Sequence, residues 1–221
     1  NPTGKPKLAA ALEAGDMQTV QAEALAQVQA GADVLDVNVG APGVDEVTLL
    51  PRVVQAVMEV VDVPLCLDSH DVEALESGLS VYQGKPLVNS VNGEEAVLNR
   101  LLPVIKERGA AVIGLTMYET GIPDDPQKRM DIARRIVQRA EALGIPPEDV
   151  VIDCLAKAIG VDSRAGLVTL ETIRRVKAGL DANMTFGGSN ISFGMPDRSL
   201  LNAAYLAMAI AAGVTCPIVN V

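Results

Sequence analysis

Amphipathic stretches that end in glycine or a proline-containing turn alternate along the chain with short Val/Ile/Leu runs that close on polar residues. The runs predict seven strands: VLDVNVG (34–40), PLCLDSH (64–70), PLVNSVNG (86–93), AVIGLTMY (111–118), VVIDCLA (150–156), NMTFGGSN (183–190) and CPIVNV (216–221). Between and before them, apolar residues recur at three- and four-residue spacing. That spacing predicts helices over Lys7–Ala30, Val47–Val61, Val72–Tyr82, Glu94–Arg108, Asp125–Leu143, Leu167–Ala178 and Ser199–Ala212. The stretches ERGA, ALGI and AAGV supply glycine at helix exits.

Alternating strand and helix with short connections implies a parallel sheet, either open and doubly wound or closed into a (β/α)8 barrel. The order begins with a helix and ends with a strand. One strand before Asn1 and one helix after Val221 would complete eight of each. The expected fold is therefore an α/β TIM barrel lacking its first strand and last helix. The open sheet is disfavoured because no predicted strand runs into a GxGxxG or P-loop pattern. With no linker or low-complexity segment, residues 1–221 are expected to form a single domain.

Composition narrows the class. Of 221 residues, 49% are hydrophobic and 21% charged, a globular balance rather than a disordered one. There is no Trp, with 2 Phe and 3 Tyr, so Ala, Val, Leu and Ile carry the core, as suits parallel strands under helices. A net charge of −10 repels a phosphate backbone, which argues against a nucleic-acid partner. No apolar run reaches the roughly 18 residues of a membrane span, and no secretory signal is visible. Cys66, Cys154 and Cys216 have no CxxC spacing and fall within or at the end of apolar runs. They are expected as buried thiols in a reducing cytoplasm.

In such barrels chemistry gathers at the C-terminal ends of strands. Those ends carry Asp36 and Asn38, Asp68 and Ser69, Asn89 with Asn92, Thr116, Asp153, Ser189 with Asn190, and Asn220. Any one of them alone reads equally as a cap or turn residue. Asp68 and Asp153 stand out because each directly follows an apolar run. A carboxylate held there is costly without donors, so a donor-rich ligand is its natural complement. His70 is the 1 histidine, and no second histidine or cysteine lies at ligand spacing, so no protein-bound metal is expected. No Ser-His-Asp arrangement or glycosidase carboxylate pair emerges. Carboxylates and amides of this kind suit a flat heterocycle with several N–H donors.

The segments NPTGK, DVNVGAP, CLDSH, NSVNGE, VIDCL and GGSNISFGMP, in that order, resemble the pterin-binding barrels. They are most similar to methyltetrahydrofolate:corrinoid methyltransferases and the folate domain of cobalamin-dependent methionine synthases. The resemblance covers essentially the whole chain, and GGSNISFGMP with NPTGK is its most specific pair. It implies that methyltetrahydrofolate is the methyl donor and that the corrinoid is carried by a partner protein or cobalamin-binding domain. A homodimer is suggested by the family alone. Carried over by position, Asp68, Asn89 and Asp153 would hold the pyrimidine edge of the pterin. Asn190 would lie near N5 as the catalytic residue. Gly187 and Ser189 would shape the adjoining loop, with Gly187–Gly188 letting the backbone approach a planar ligand. Arg198 would meet the p-aminobenzoate or glutamate end, and Asp36 and Asn38 belong to the same mouth.

Three other readings stay open. Dihydropteroate synthase shares the barrel and pterin site, but its Ser-Arg-Lys-like stretch and terminal Arg-x-His have no counterpart in GGSNISFG and CPIVNV, and Lys157 comes too early in the chain to substitute. A phosphate-binding aldolase or isomerase barrel would need Lys or Glu pairs where these strand tips carry Asp and Asn. A non-catalytic folate-binding module fits the same binding residues.

Overall fold

The amphipathic stretch at 7–30 folds as two helices, α1 (Pro6–Ala14) and α2 (Met17–Gln29). Gly15 takes a left-handed φ of 67° that ends α1, and the Asp16 carboxylate accepts from the N–H groups of Gln18 and Thr19 to open α2. A C-cap glycine followed at once by an N-cap aspartate splits one apolar stripe into two helices. The remaining helices are α3 (Glu46–Met58), α4 (Val72–Val81), α5 (Glu95–Glu107), α6 (Pro126–Ala142), α7 (Ala165–Leu180) and α8 (Arg198–Ala212). The strands are β1 (Leu35–Asn38), β2 (Leu65–Asp68), β3 (Leu87–Val91), β4 (Ala111–Leu115), β5 (Val150–Asp153) and β6 (Asn183–Thr185). This computed structural model describes residues 2, 5–41 and 43–220. Asn1, Thr3 and Gly4 of the NPTGK motif, Pro42 of DVNVGAP and Val221 of CPIVNV lie outside them.

Strand alternates with helix and the pairings are parallel, which is the α/β barrel class expected. The last predicted strand differs. Among the described residues, CPIVNV forms only an isolated parallel bridge between Ile218 and Gly187. Pro217 has no N–H to give a ladder, so pairing reduces to bonds from Cys216 and Ile218 to the carbonyls of Met184 and Phe186 and one from Gly188 to Ile218. Cys216 is consequently exposed, contrary to the burial expected of all three cysteines, whereas Cys66 and Cys154 are buried.

The chain packs as two compact units. One runs to Ser90 and takes in Glu107–Ala111; the other comprises Val91–Lys106 and Val112–Asn220. In the first, β2 lies between β1 and β3, and Leu65, Leu67 and Val88 are sealed under α3 and α4 through Leu50, Val54, Ala74 and Leu75. In the second, β5 lies between β4 and β6, with Val112, Val150, Ile152 and Met184 fully buried. There Phe186 meets Tyr205 edge-on at 5.8 Å, and the Tyr205 hydroxyl donates to the Gly166 carbonyl at 2.8 Å. Strand bodies this buried leave polar side chains room mainly at or near the C-terminal strand ends.

Gly114 marks how tightly α6 sits on β4, because a Cβ there would come within 2.9 Å of the Ile136 side chain. A glycine-to-alanine change gains about 0.4–1 kcal/mol from the unfolded chain, but overpacking a core costs about 1–3 kcal/mol. Overpacking wins: Gly114→Ala should lower stability by roughly 1 kcal/mol or more in urea unfolding. An unchanged or raised midpoint would show that Ile136 yields freely.

Candidate functional site

In the first unit the register aligns Asn38, Asp68 and Asn89 as one row across β1, β2 and β3, with Asp36 and Cys66 paired two residues earlier on the same face. Asn38 donates its amide to the Asp68 carboxylate at 3.0 Å and accepts from the Gly40 N–H through its carbonyl. Asn89 donates to Asp36 at 3.4 Å. Each carboxylate thus has an amide partner. Burial, then the negative charge of Asp36, pushes Asp68 up to about 6, against the opposing hydrogen bond from Asn38. Burial also raises Asp36, opposed by the Asn89 hydrogen bond. Ser69 donates to the Glu46 carboxylate at 2.6 Å and accepts from the Asp71 N–H, so it braces the turn into α4. His70 is exposed in that turn.

In the second unit Asp153 ends β5 and is paired in register with Leu115 and Thr185. It is only 7% exposed, and its carboxylate accepts from the Leu155 N–H at 2.7 Å. Burial drives it up to about 7, with the Leu155 bond and the positive charge of Arg129 opposing. The same burial pushes the neighbouring Cys154 thiol far up, so it is inert as a nucleophile. The Thr185 hydroxyl, beside Asp153 in the register, is buried without a hydrogen-bond partner. Thr116 donates to the Asp153 backbone carbonyl at 2.9 Å and so fixes the strand end.

Past β6 the chain turns through Gly187 and Gly188 into a short 3-10 turn at Asn190–Ser192. A Cβ on Gly187 would lie 2.7 Å from the Asn190 side-chain nitrogen. The space freed by this glycine is therefore filled by the Asn190 amide, which is otherwise exposed. Arg198, the first residue of α8, turns back on the same loop. It donates to the Ser189 carbonyl at 2.9 Å and the Ser192 hydroxyl at 3.1 Å, with its guanidinium 5.3 Å from the Phe193 ring centroid.

The fold thus gathers Asp36, Asn38, Asp68 and Asn89 at the strand ends of one unit, and Asp153, Gly187, Ser189, Asn190 and Arg198 at those of the other. Asn92 accepts from the Glu94 N–H as a turn residue, and Asn220 is exposed. Lys157 is paired with Asp124. The residue that the strand-end reading overlooks is Arg129, which is fully buried in the first turn of α6. Its signal lies in the helical pattern: Arg129, Ala133, Ile136 and Ala140 share one apolar stripe, and a cation there requires a purpose-built set of acceptors. Among the described residues no group of His, Cys, Asp or Glu could hold a metal, and no helix is long and apolar enough to cross a membrane.

The family described as pterin binding enzyme matches residues 1–220. A methylcorrinoid:tetrahydrofolate methyltransferase of Eubacterium limosum is 30% identical over 97% of this chain and 80% of that protein. The methionine synthases of Mycobacterium tuberculosis and Mycobacterium leprae are each 31% identical over the whole chain, which spans 20% and 19% of their lengths. Among solved structures, the dihydropteroate synthases of Yersinia pestis, with a pterine-sulfa conjugate, and Clostridium difficile, with pteroic acid, both superpose with a TM-score of 0.73. They cover 92% of this chain and 83% and 82% of theirs, at 18% and 22% identity, a likeness of fold.

The raised Asp153 sets a pH dependence with a definite sign. Its folded value of about 7 lies above the ordinary 3.8. The stability this contributes is full below about pH 4 and is lost as pH rises through about 7. The advantage of the wild-type chain over Asp153→Asn in thermal unfolding should therefore shrink between those limits. Melting curves that run parallel across that range would contradict the raised value.

Proposed function

The chain belongs to the pterin-binding enzyme family, and from that premise we propose that it moves a methyl group between N5 of tetrahydrofolate and the cobalt of a corrinoid held by a partner protein or domain. The forward reaction takes the methyl from methyltetrahydrofolate. The observation that carries this reading is the 30% identity, over 97% of the chain and 80% of the relative, to a protein named for methyl exchange between a corrinoid and tetrahydrofolate. That name runs from methylcorrinoid to folate, and the named methionine synthases share the same segment of chain. Both directions pass through one transition state, so the same residues serve each.

A methyl on a tertiary amine departs only when its nitrogen gains positive charge. With N5 protonated, the N5–CH3 bond breaks with its electron pair left on N5. The methyl is taken by Co(I), which supplies both electrons of the new Co–C bond, and the proton remains on N5. This chain's part is to bind the pterin and stabilise charge at N5. Asp68 and Asp153 serve as acceptors for N–H donors on the pyrimidine edge, a charge-assisted pairing when ionised. Asn89 supplies an amide that donates and accepts. Asn190 is the N5 residue: its carbonyl accepts from the N5 proton, in a bond that strengthens as charge develops. Arg198 braces the Ser189–Phe193 loop as well as standing near the p-aminobenzoate or glutamate end. The dihydropteroate synthase likeness carries the fold without an activity.

Incubating the protein with methyltetrahydrofolate and a reduced corrinoid protein should convert the Co(I) spectrum to that of methylcobalt. No conversion with any competent corrinoid acceptor would remove the reading. Asn190→Ala should slow the transfer by roughly 100-fold or more, the scale of one lost transition-state hydrogen bond. Its methyltetrahydrofolate affinity should change far less. Gly187→Ala, which displaces the Asn190 amide, should slow transfer in the same sense, and a normal rate in both variants would refute the assignment.

A further inference from the structure

Arg129 is a buried cation with, among the described residues, no carboxylate at hydrogen-bond distance. Its Nε donates to the Pro123 carbonyl at 2.6 Å, and its Nη1 donates to the carbonyls of Cys154 and Leu155 at 2.9 and 2.8 Å. Nη2 is buried without a partner. The location is unfavourable in two respects: burial opposes the charge, and the first turn of a helix repels a cation. The meaning of such an arrangement lies in what it holds.

What it holds is one peptide unit. The carbonyl of the Cys154–Leu155 peptide accepts from Arg129, while the N–H of that same peptide donates to the Asp153 carboxylate at 2.7 Å. In a trans peptide these two groups point in opposite directions, so the peptide dipole lies with its negative end on the guanidinium and its positive end on the carboxylate. The next carbonyl, of Leu155, is held by Arg129 and by the Thr169 hydroxyl at 3.0 Å. Leu155 itself adopts a left-handed φ of 51°, a conformation a branched side chain takes only when its surroundings impose it.

We propose that Arg129 is a positioning residue for Asp153: it orients and polarises the Cys154–Leu155 peptide, and through that peptide fixes both the direction and the charge of the carboxylate that meets the ligand. The groups that bear on Asp153 are Arg129 from α6, the Cys154 thiol beside it and the Cys216 thiol, whose ionisation Asp153 opposes. Asp124 and Tyr205 act on Arg129 in turn. The ligand's identity rests on the pterin reading above, whereas the peptide link does not.

The test follows the Leu155 amide proton by NMR across pH in the ligand-free protein. In the wild type its shift should titrate with Asp153, and Asp153→Asn should abolish that titration. Arg129→Met should move the midpoint up by about one unit, the scale of a lost nearby opposite charge. Arg129→Lys keeps the charge but gathers its donors on one nitrogen at the end of a flexible stem, where the guanidinium uses two nitrogens of a rigid plane, so the hold on the Cys154–Leu155 peptide is lost or loosened. Its midpoint should stay near the wild type while the amplitude at Leu155 falls by half or more. A midpoint in Arg129→Met equal to the wild type overturns the proposal. Should the methionine variant fail to fold, an undiminished Leu155 amplitude in Arg129→Lys overturns it equally. In parallel, calorimetry should show methyltetrahydrofolate binding about 10-fold weaker in Arg129→Lys above the Asp153 midpoint. Wild-type protein that binds no pterin would refute the functional reading and leave the Leu155 titration standing as a separate result.

Discussion

A parallel strand covered on both faces leaves little room for a polar side chain along its body, and that constraint organises this protein. Leu65, Leu67, Val88, Val112, Val150 and Ile152 are sealed from water. Four of the strands stop on a polar residue, at Asn38, Asp68, Asp153 and Thr185, and Asp36 and Asn89 lie two residues inside the ends of theirs. Those positions are half in the apolar interior, and desolvation therefore governs their chemistry. The strand carboxylates Asp36, Asp68 and Asp153 are all raised, with burial the largest cause in each. Exposed aspartates of the same chain behave oppositely. Asp16 and Asp45, which cap helices in open solvent, are lowered, chiefly by the hydroxyls of Thr19 and Thr48.

The two units meet the cost of a buried carboxylate in different ways. The first uses side-chain amides: Asn38 for Asp68 and Asn89 for Asp36. Such partners can rotate about their own side-chain bonds. The second uses backbone, locked from behind by a guanidinium, so that Asp153 keeps one orientation.

Most of the architecture was legible in the residues because the hydrophobic period is unambiguous where helices are long and strands short. β1 to β6 and α3 to α8 fall where the pattern places them, with ends shifted by a few residues. The two departures have local causes that a period cannot register. Gly15–Asp16 carries a stop and a start in consecutive positions, and Pro217 removes a donor from a run whose apolar content alone reads as strand. The strand-end residues were visible because they interrupt apolar runs. Arg129 was not, because its role depends on carbonyls at 123, 154 and 155 that only the fold brings to it. The space filled by the Asn190 amide was likewise hidden: the glycine pair announces close approach, but the sequence does not say what approaches.

That last detail bears on how the loop after β6 waits. The Asn190 amide rests against the α-carbon of Gly187 by contact alone, and among the described residues no hydrogen bond runs through it. Water can satisfy both its ends, and a rotation about its side chain breaks no internal bond. A group held so lightly has little reorganisation to overcome when an incoming molecule displaces that water. The glycine thus makes room for a polar group that the loop itself leaves unengaged.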